Sequence, residues 1–244
     1  MTDAKDIRVG CSGFPKARSA YFEHFSLTEV QQTFYQPPRI ETLQRWRQDA
    51  PPAFEFTIKA WQLITHEPKS PTYRRLRAHV PRNRRDRYGS FRPTDEVLAA
   101  WQTTRDAAKA LHSRVIIFQS PASFTATDSN IANMRSFFHA IRADAADFAL
   151  GWEPRGNWPD EVVRPLCKEL GLIYVVDPFQ TAPPDNQPLY FRLHGIGGYQ
   201  YRYTDADLRR LLGMCRGTTY CLFNNVWMAE DAERFLGLVR SIAA

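Results

Sequence analysis

The chain has only four cysteines in 244 residues, Cys11, Cys167, Cys215 and Cys221, and no two form a C-x-x-C pair. That scarcity excludes a disulfide-stapled scaffold and argues against a structural zinc site or a dithiol redox centre. No apolar run approaches the ~20 residues needed to cross a bilayer. The opening MTDAKDIRVG lacks the apolar core of a secretory leader. The cytoplasm is the expected compartment, and no membrane partner is expected. No G-x-G-x-x-G follows the first strand-like run, which removes the main support for a dinucleotide fold. Repeats, low-complexity tracts and a Pro/Gly/Ser linker are also missing, so one domain over residues 1–244 is the simplest reading.

Acidic residues are scarce in one segment. Arg74, Arg75, Arg77, Arg82, Arg84, Arg85, Arg87 and Arg92 face a single acid of that stretch, Asp86, whereas the whole chain carries a net charge of +6. The protein is thus a near-neutral body with one basic segment, inside a stretch of about 61–92 that is too long for an ordinary strand-to-helix loop. Two readings stand side by side. The arginines form a solvated face paired with surface carboxylates, or they bind phosphates, nucleic acid included.

Short β-rich runs alternate with longer amphipathic stretches. The strand-like runs are Ile7–Cys11, Leu27–Phe34, Ala53–Ala60, Arg114–Ser120, Phe148–Glu153, Leu172–Asp177, Leu189–His194 and Thr219–Asn224. Helical periodicity covers Ile40–Asp49, Pro93–Leu111, Ser129–Arg142, Pro159–Leu170, Thr204–Cys215 and Ala229–Ile242. Thr94, Asp128 and Thr204 are the expected N-terminal caps, and Gly171 and Gly217 the expected left-handed stops. Eight strands alternating with helices specify an α/β fold, a single (β/α)8 TIM barrel with the Arg-rich segment as an insertion after strand 3.

In such a barrel alternate strand residues point inward, and sites form at the strands' C-terminal ends. In Leu189–His194 the residues Tyr190, Arg192 and His194 share one face and Phe191 and Leu193 the other. A buried Arg192 requires a carboxylate nearby. Glu153 and Arg155 end the fifth strand, Asp177 the sixth, Gln119 the fourth and Asn224 the eighth. Lys59 ends the third strand, with His66 just beyond it. Each of these polar residues also has a structural reading, as an ion-pair partner or a turn cap.

Several segments carry a resemblance. Gly10-Cys11-Ser12-Gly13-Phe14 resembles the opening Gly-x-Ser-Gly-aromatic motif of the domain-of-unknown-function 72 (DUF72) family. The stretch from Glu29 through Thr33-Phe34-Tyr35 to Pro37 resembles its Val-Glu-x-Asn-x-Thr-Phe-Tyr-x-Pro segment. Phe54–Lys59 and Thr65-His66, Gln119-Ser120-Pro121 with Phe124, Glu153-Pro154-Arg155 with Trp158, Tyr190–Gly195 and Phe223-Asn224-Asn225 are similar to its later motifs, in order, from about Ile7 onward. The resemblance implies a TIM barrel and a map of the site, but no reaction. Two positions depart from the pattern. Gln31 replaces an Asn, and Gly156 replaces the His after Arg155, which removes one acid/base group from that strand end.

Three functions compete. The first is an enzyme acting on an anion-bearing or polyol, sugar-like small molecule. In it Glu153, Asp177 and His194 transfer protons, while Lys59, Arg155 and Arg192 hold an anion. Gln119, Tyr190, Asn224 and His66 orient the substrate, and Tyr35 or Trp158 walls a ring. Hydrolase, isomerase and lyase chemistry all stay open, and no cofactor is expected. The second is a phosphodiesterase with a divalent metal on Glu29, His66, Glu153, Asp177 and His194, and nucleic acid held by Arg74–Arg92. The third is a non-catalytic small-ligand barrel.

Overall fold

A computed structural model describes residues 6–185 and 187–243. In chain order the elements are β1 (Asp6–Ser12), α1 (Arg18–His24), β2 (Leu27–Val30), α2 (Gln32–Tyr35), α3 (Ile40–Asp49), β3 (Glu55–Lys59) and α4 (Gln62–Thr65). Two 3-10 turns, Pro71–Arg75 and Arg82–Arg87, lead to α5 (Asp95–Ala110). Then come β4 (Val115–Gln119), α6 (Asp128–Ile141), β5 (Ala149–Glu153), α7 (Asp160–Leu170), β6 (Ile173–Val176), β7 (Leu189–Leu193), α8 (Asp205–Met214), β8 (Thr218–Phe223) and α9 (Met228–Ala243). The eight parallel strands close into a barrel in the order β1 to β8, the architecture that the alternation of runs predicts.

The helix ends follow local chemistry. Thr94 and Thr204 accept hydrogen bonds from Val97 and Asp207 backbone N–H groups, and Asp207 completes a reciprocal capping box. The cap of α6 is Thr127, one residue before the expected Asp128, which instead puts its charge in the first turn. Gly171 does adopt the left-handed stop after α7, but Gly217 lies beyond the extended Cys215 that ends α8. The second strand is shorter than expected. It stops at Val30, and Gln32–Tyr35 forms a short helix whose Thr33 Oγ1 donates to the Lys59 carbonyl at 2.7 Å.

The contacts divide the chain into two compact units, Met1–Val30 with Asp49–Glu55 and Ile173–Ala244, and Gln31–Gln48 with Phe56–Leu172. The second unit holds an aromatic core. Phe91 lies 5.4–6.0 Å, ring centre to ring centre, from Phe118, Phe124, Phe137 and Phe138. Its φ of 51°, beside Ser90 at 53°, is unusual for residues with a side chain. Three backbone hydrogen bonds hold that turn, from Gly89, Ser90 and Phe91 N–H to the carbonyls of Leu63, Thr65 and Ile64. The arginine-rich segment is therefore stitched to α4 and ends on a ring sunk in the core. Phe91→Ala is expected to lower unfolding stability by about 3–5 kcal/mol in urea denaturation, the cost of an emptied aromatic site. A loss below about 1 kcal/mol would show that the ring is not the anchor.

Candidate active site

In the first unit the site grows from the barrel interior. The partner of Arg192 is Glu29, whose Oε1 accepts from Nη2 at 2.9 Å and from Nε at 3.2 Å. Tyr190 donates to Glu29 Oε2 at 2.8 Å. Strands β7 and β2 are separated by β8 and β1, so these contacts cross the barrel lumen. Both charged side chains are essentially inaccessible, at 1% and 0%. Below them Tyr190 stacks on Tyr220 at 5.4 Å. Tyr220 in turn donates to Glu55, and Arg8 donates to both.

At the carboxyl ends of β6 and β7 stand Asp177 and His194, both buried. Asp177 accepts from the backbone N–H groups of Phe179 at 3.1 Å and His194 at 3.0 Å, and its Oδ2 lies 3.4 Å from His194 Nδ1. Two backbone donors fix the carboxylate, and the carboxylate faces the imidazole. The edge-to-face partner of His194 is Tyr199, 5.6 Å away and half exposed. Val226 and Trp227 are exposed in the loop after β8, and that loop is tied to the Tyr199 loop by Val226 N–H to Tyr199 O at 2.8 Å. Asn224 is half-buried, while Asn225 is committed to Asp231 and Tyr201.

In the second unit the carboxyl ends of β3, β4 and β5 carry further polar residues. Lys59 donates to Gln119 Oε1 at 2.9 Å, with its ammonium 4.0 Å above the Phe34 ring. Glu153 is buried and pairs with the partly exposed Arg155 at 2.8 Å. His66 packs edge-on against Phe34, with Nδ1 2.8 Å from Thr65 Oγ1. Burial, and after it the charge of Lys59, push its imidazole down to about 3. Trp158 is buried between Phe124 and Trp152, and its indole N–H donates to the Phe124 carbonyl. Tyr35 lies beneath Arg75.

Among the described residues no three His, Cys, Asp or Glu side chains are gathered to hold an ion. Of the expected ligands, Glu29 faces a guanidinium and His66 feels an ammonium. Burial pushes the Cys11 thiol up to about 12, which leaves it no thiolate character.

The family model described as "Protein of unknown function DUF72" matches residues 13–242. The chain belongs to the DUF72 family. This DUF72 chain is similar in fold to a DUF72 protein of Enterococcus faecalis V583, at 20% identity and a TM-score of 0.71 over 98% of this chain and 99% of that one. A DUF72 protein of Thermotoga maritima MSB8 follows at 18%, 0.64, 96% and 99%. D-psicose 3-epimerase, solved in the presence of D-fructose, gives 14%, 0.58, 98% and 99%. No curated protein matches the chain. Identities this low establish the shared barrel and nothing about the reaction.

The backbone of the DUF72 chain bears on its departure from the family pattern at Gly156. Gly156 has a φ of 82°, and a Cβ there would lie 2.8 Å from the Ala122 carbonyl oxygen. The backbone has closed over the space a histidine side chain needs, so Gly156→His is expected to cost about 1–3 kcal/mol in thermal or urea denaturation. A variant as stable as the parent would show that the loop yields. Sequence reasoning missed Tyr199 and Trp227, because loop residues have no period; an exposed Trp in a Gly-rich or Asn-rich loop was the available signal.

The acid response of His66 has a definite sign. Its folded value of about 3 lies below the ordinary 6.5, so the unfolded chain takes up the proton first and stability falls as pH drops from about 6.5 towards about 3. His66→Gln is expected to flatten that limb of the urea-midpoint curve. Parallel curves for parent and variant would remove His66 from the acid response.

Proposed function

We propose that this DUF72 chain is an enzyme acting on an anion-bearing or polyol, sugar-like small molecule by general acid/base chemistry. The observation that carries the reading is the buried Asp177–His194 pair at the ends of β6 and β7, where barrel enzymes place their chemistry. Imidazole is the side chain whose ordinary range brackets neutral pH. Asp177, held by two backbone N–H groups, faces the ring with its Oδ2 3.4 Å from Nδ1. Tyr199 and Trp227 supply the exposed aromatic wall that a sugar face stacks on.

Arg192 and Tyr190 share one carboxylate partner. Both donate to Glu29, and through it they position the end of β7. In the other unit Lys59 with Gln119 and Arg155 with Glu153 make a polar set of their own. The epimerase of similar fold was solved with a ketose, in keeping with a polyol substrate.

Thermal-shift screening of sugars and sugar phosphates, followed by NMR detection of product from the stabilising compound, tests this. His194→Gln is expected to keep the ligand-induced shift and to lose about 10²–10⁴-fold in turnover, the usual worth of a positioned acid or base. Asp177→Asn should lose turnover with little change in ligand affinity. Undiminished turnover in His194→Gln, or no shift from any compound of this class, would overturn the reading.

A further inference from the structure

The arginines of the basic segment divide by what they touch. Arg84 and Arg87 pair with Glu96, and Arg92 pairs with Glu67, so these three fasten the segment down. Arg74, Arg75 and Arg77 are exposed and, among the described residues, enter no ion pair; the same is true of Arg39. These four line one groove of about 710 Å³, and no carboxylate lines it with them.

The groove is held in shape without a ligand. Gln36 Oε1 accepts from the backbone N–H groups of Arg77 at 3.1 Å and Ala78 at 3.2 Å, which ties one wall to the other. The Arg75 guanidinium lies 3.5 Å from the centre of the Tyr35 ring. Stacking fixes the guanidinium plane and leaves its N–H edge for an anion. Tyr35 is itself anchored, because the buried Gln62 donates to its carbonyl at 2.8 Å.

Four unpaired guanidinium groups in one groove repel one another, and an anion relieves the repulsion. They exceed what a single phosphate needs, and a groove of this size takes a single strand running along it rather than a duplex. Tyr35 and Pro37 add apolar surface beside the cations, as single-strand sites do. We propose that this groove binds the backbone of single-stranded nucleic acid, with consecutive phosphates shared among Arg39, Arg74, Arg75 and Arg77. The proposal is independent of the small-molecule chemistry above and uses none of its residues as test sites.

Fluorescence anisotropy of the full chain with a labelled oligothymidylate about 12 nucleotides long, from about 50 to about 200 mM salt, tests it. The expected slope of log affinity against log salt is about −2 to −3, the value for three or four phosphate contacts on a single strand. The Arg74→Ala/Arg77→Ala variant should melt at the parent temperature, bind at least about tenfold more weakly and show a slope shallower by about 1.4. Arg39→Gln, on the other wall, should shift the slope by about 0.7. Parent-like affinity in both variants would overturn the proposal. So would a duplex bound as tightly as the single strand, or tripolyphosphate binding as tightly as the oligonucleotide, which would reassign the groove to a small polyphosphate.

Discussion

The ion pair of Glu29 and Arg192 is the constraint on which the rest of the barrel interior depends. Taking two charges out of water is costly, and the attraction between them offsets that cost only with good geometry and full hydrogen bonding. Here Glu29 receives Arg192 on one oxygen and Tyr190 on the other. The lumen of such barrels is usually filled by branched apolar side chains, whereas this one carries a polar column from Glu55 and Arg8 through Tyr220 and Tyr190 to Glu29. Each member is aimed by the next. The end of β7, and with it the backbone N–H that His194 gives to Asp177, is set by this column.

How much of this was legible in the sequence varies with the kind of order involved. Alternation along Leu189–His194 placed Tyr190 and Arg192 on one face and demanded a carboxylate, and both hold. The identity of the carboxylate was not legible. Glu29 lies about 160 residues away on a strand that meets β7 only across the lumen, and no local period encodes that distance. Strand number and order were readable because each run is apolar and bounded. The one- and two-turn helices α1, α2 and α4 were not, since they are too short to show a period and carry no side-chain caps.

Burial separates candidates that look alike in the sequence. Trp158 and Tyr35 both read as walls for a ring, yet one is packed among core aromatics and the other carries a stacked guanidinium. Lys59 and His66 sit close together on one unit, and burial, with the ammonium after it, keeps the imidazole neutral. The arginines divide in the same way. A run of like charges in sequence becomes fasteners where Glu96 and Glu67 reach it, and open cations where no acid does.

The Phe91 anchor has a consequence for how this surface changes over time. Because the segment returns to the core on one buried ring and three backbone hydrogen bonds, the stretch between α4 and Phe91 behaves as a cassette closed at both ends. Arg84 and Arg87 pin the cassette to Glu96, whereas Arg74, Arg75 and Arg77 enter no ion pair among the described residues, so exchange of these three leaves its fastening in place.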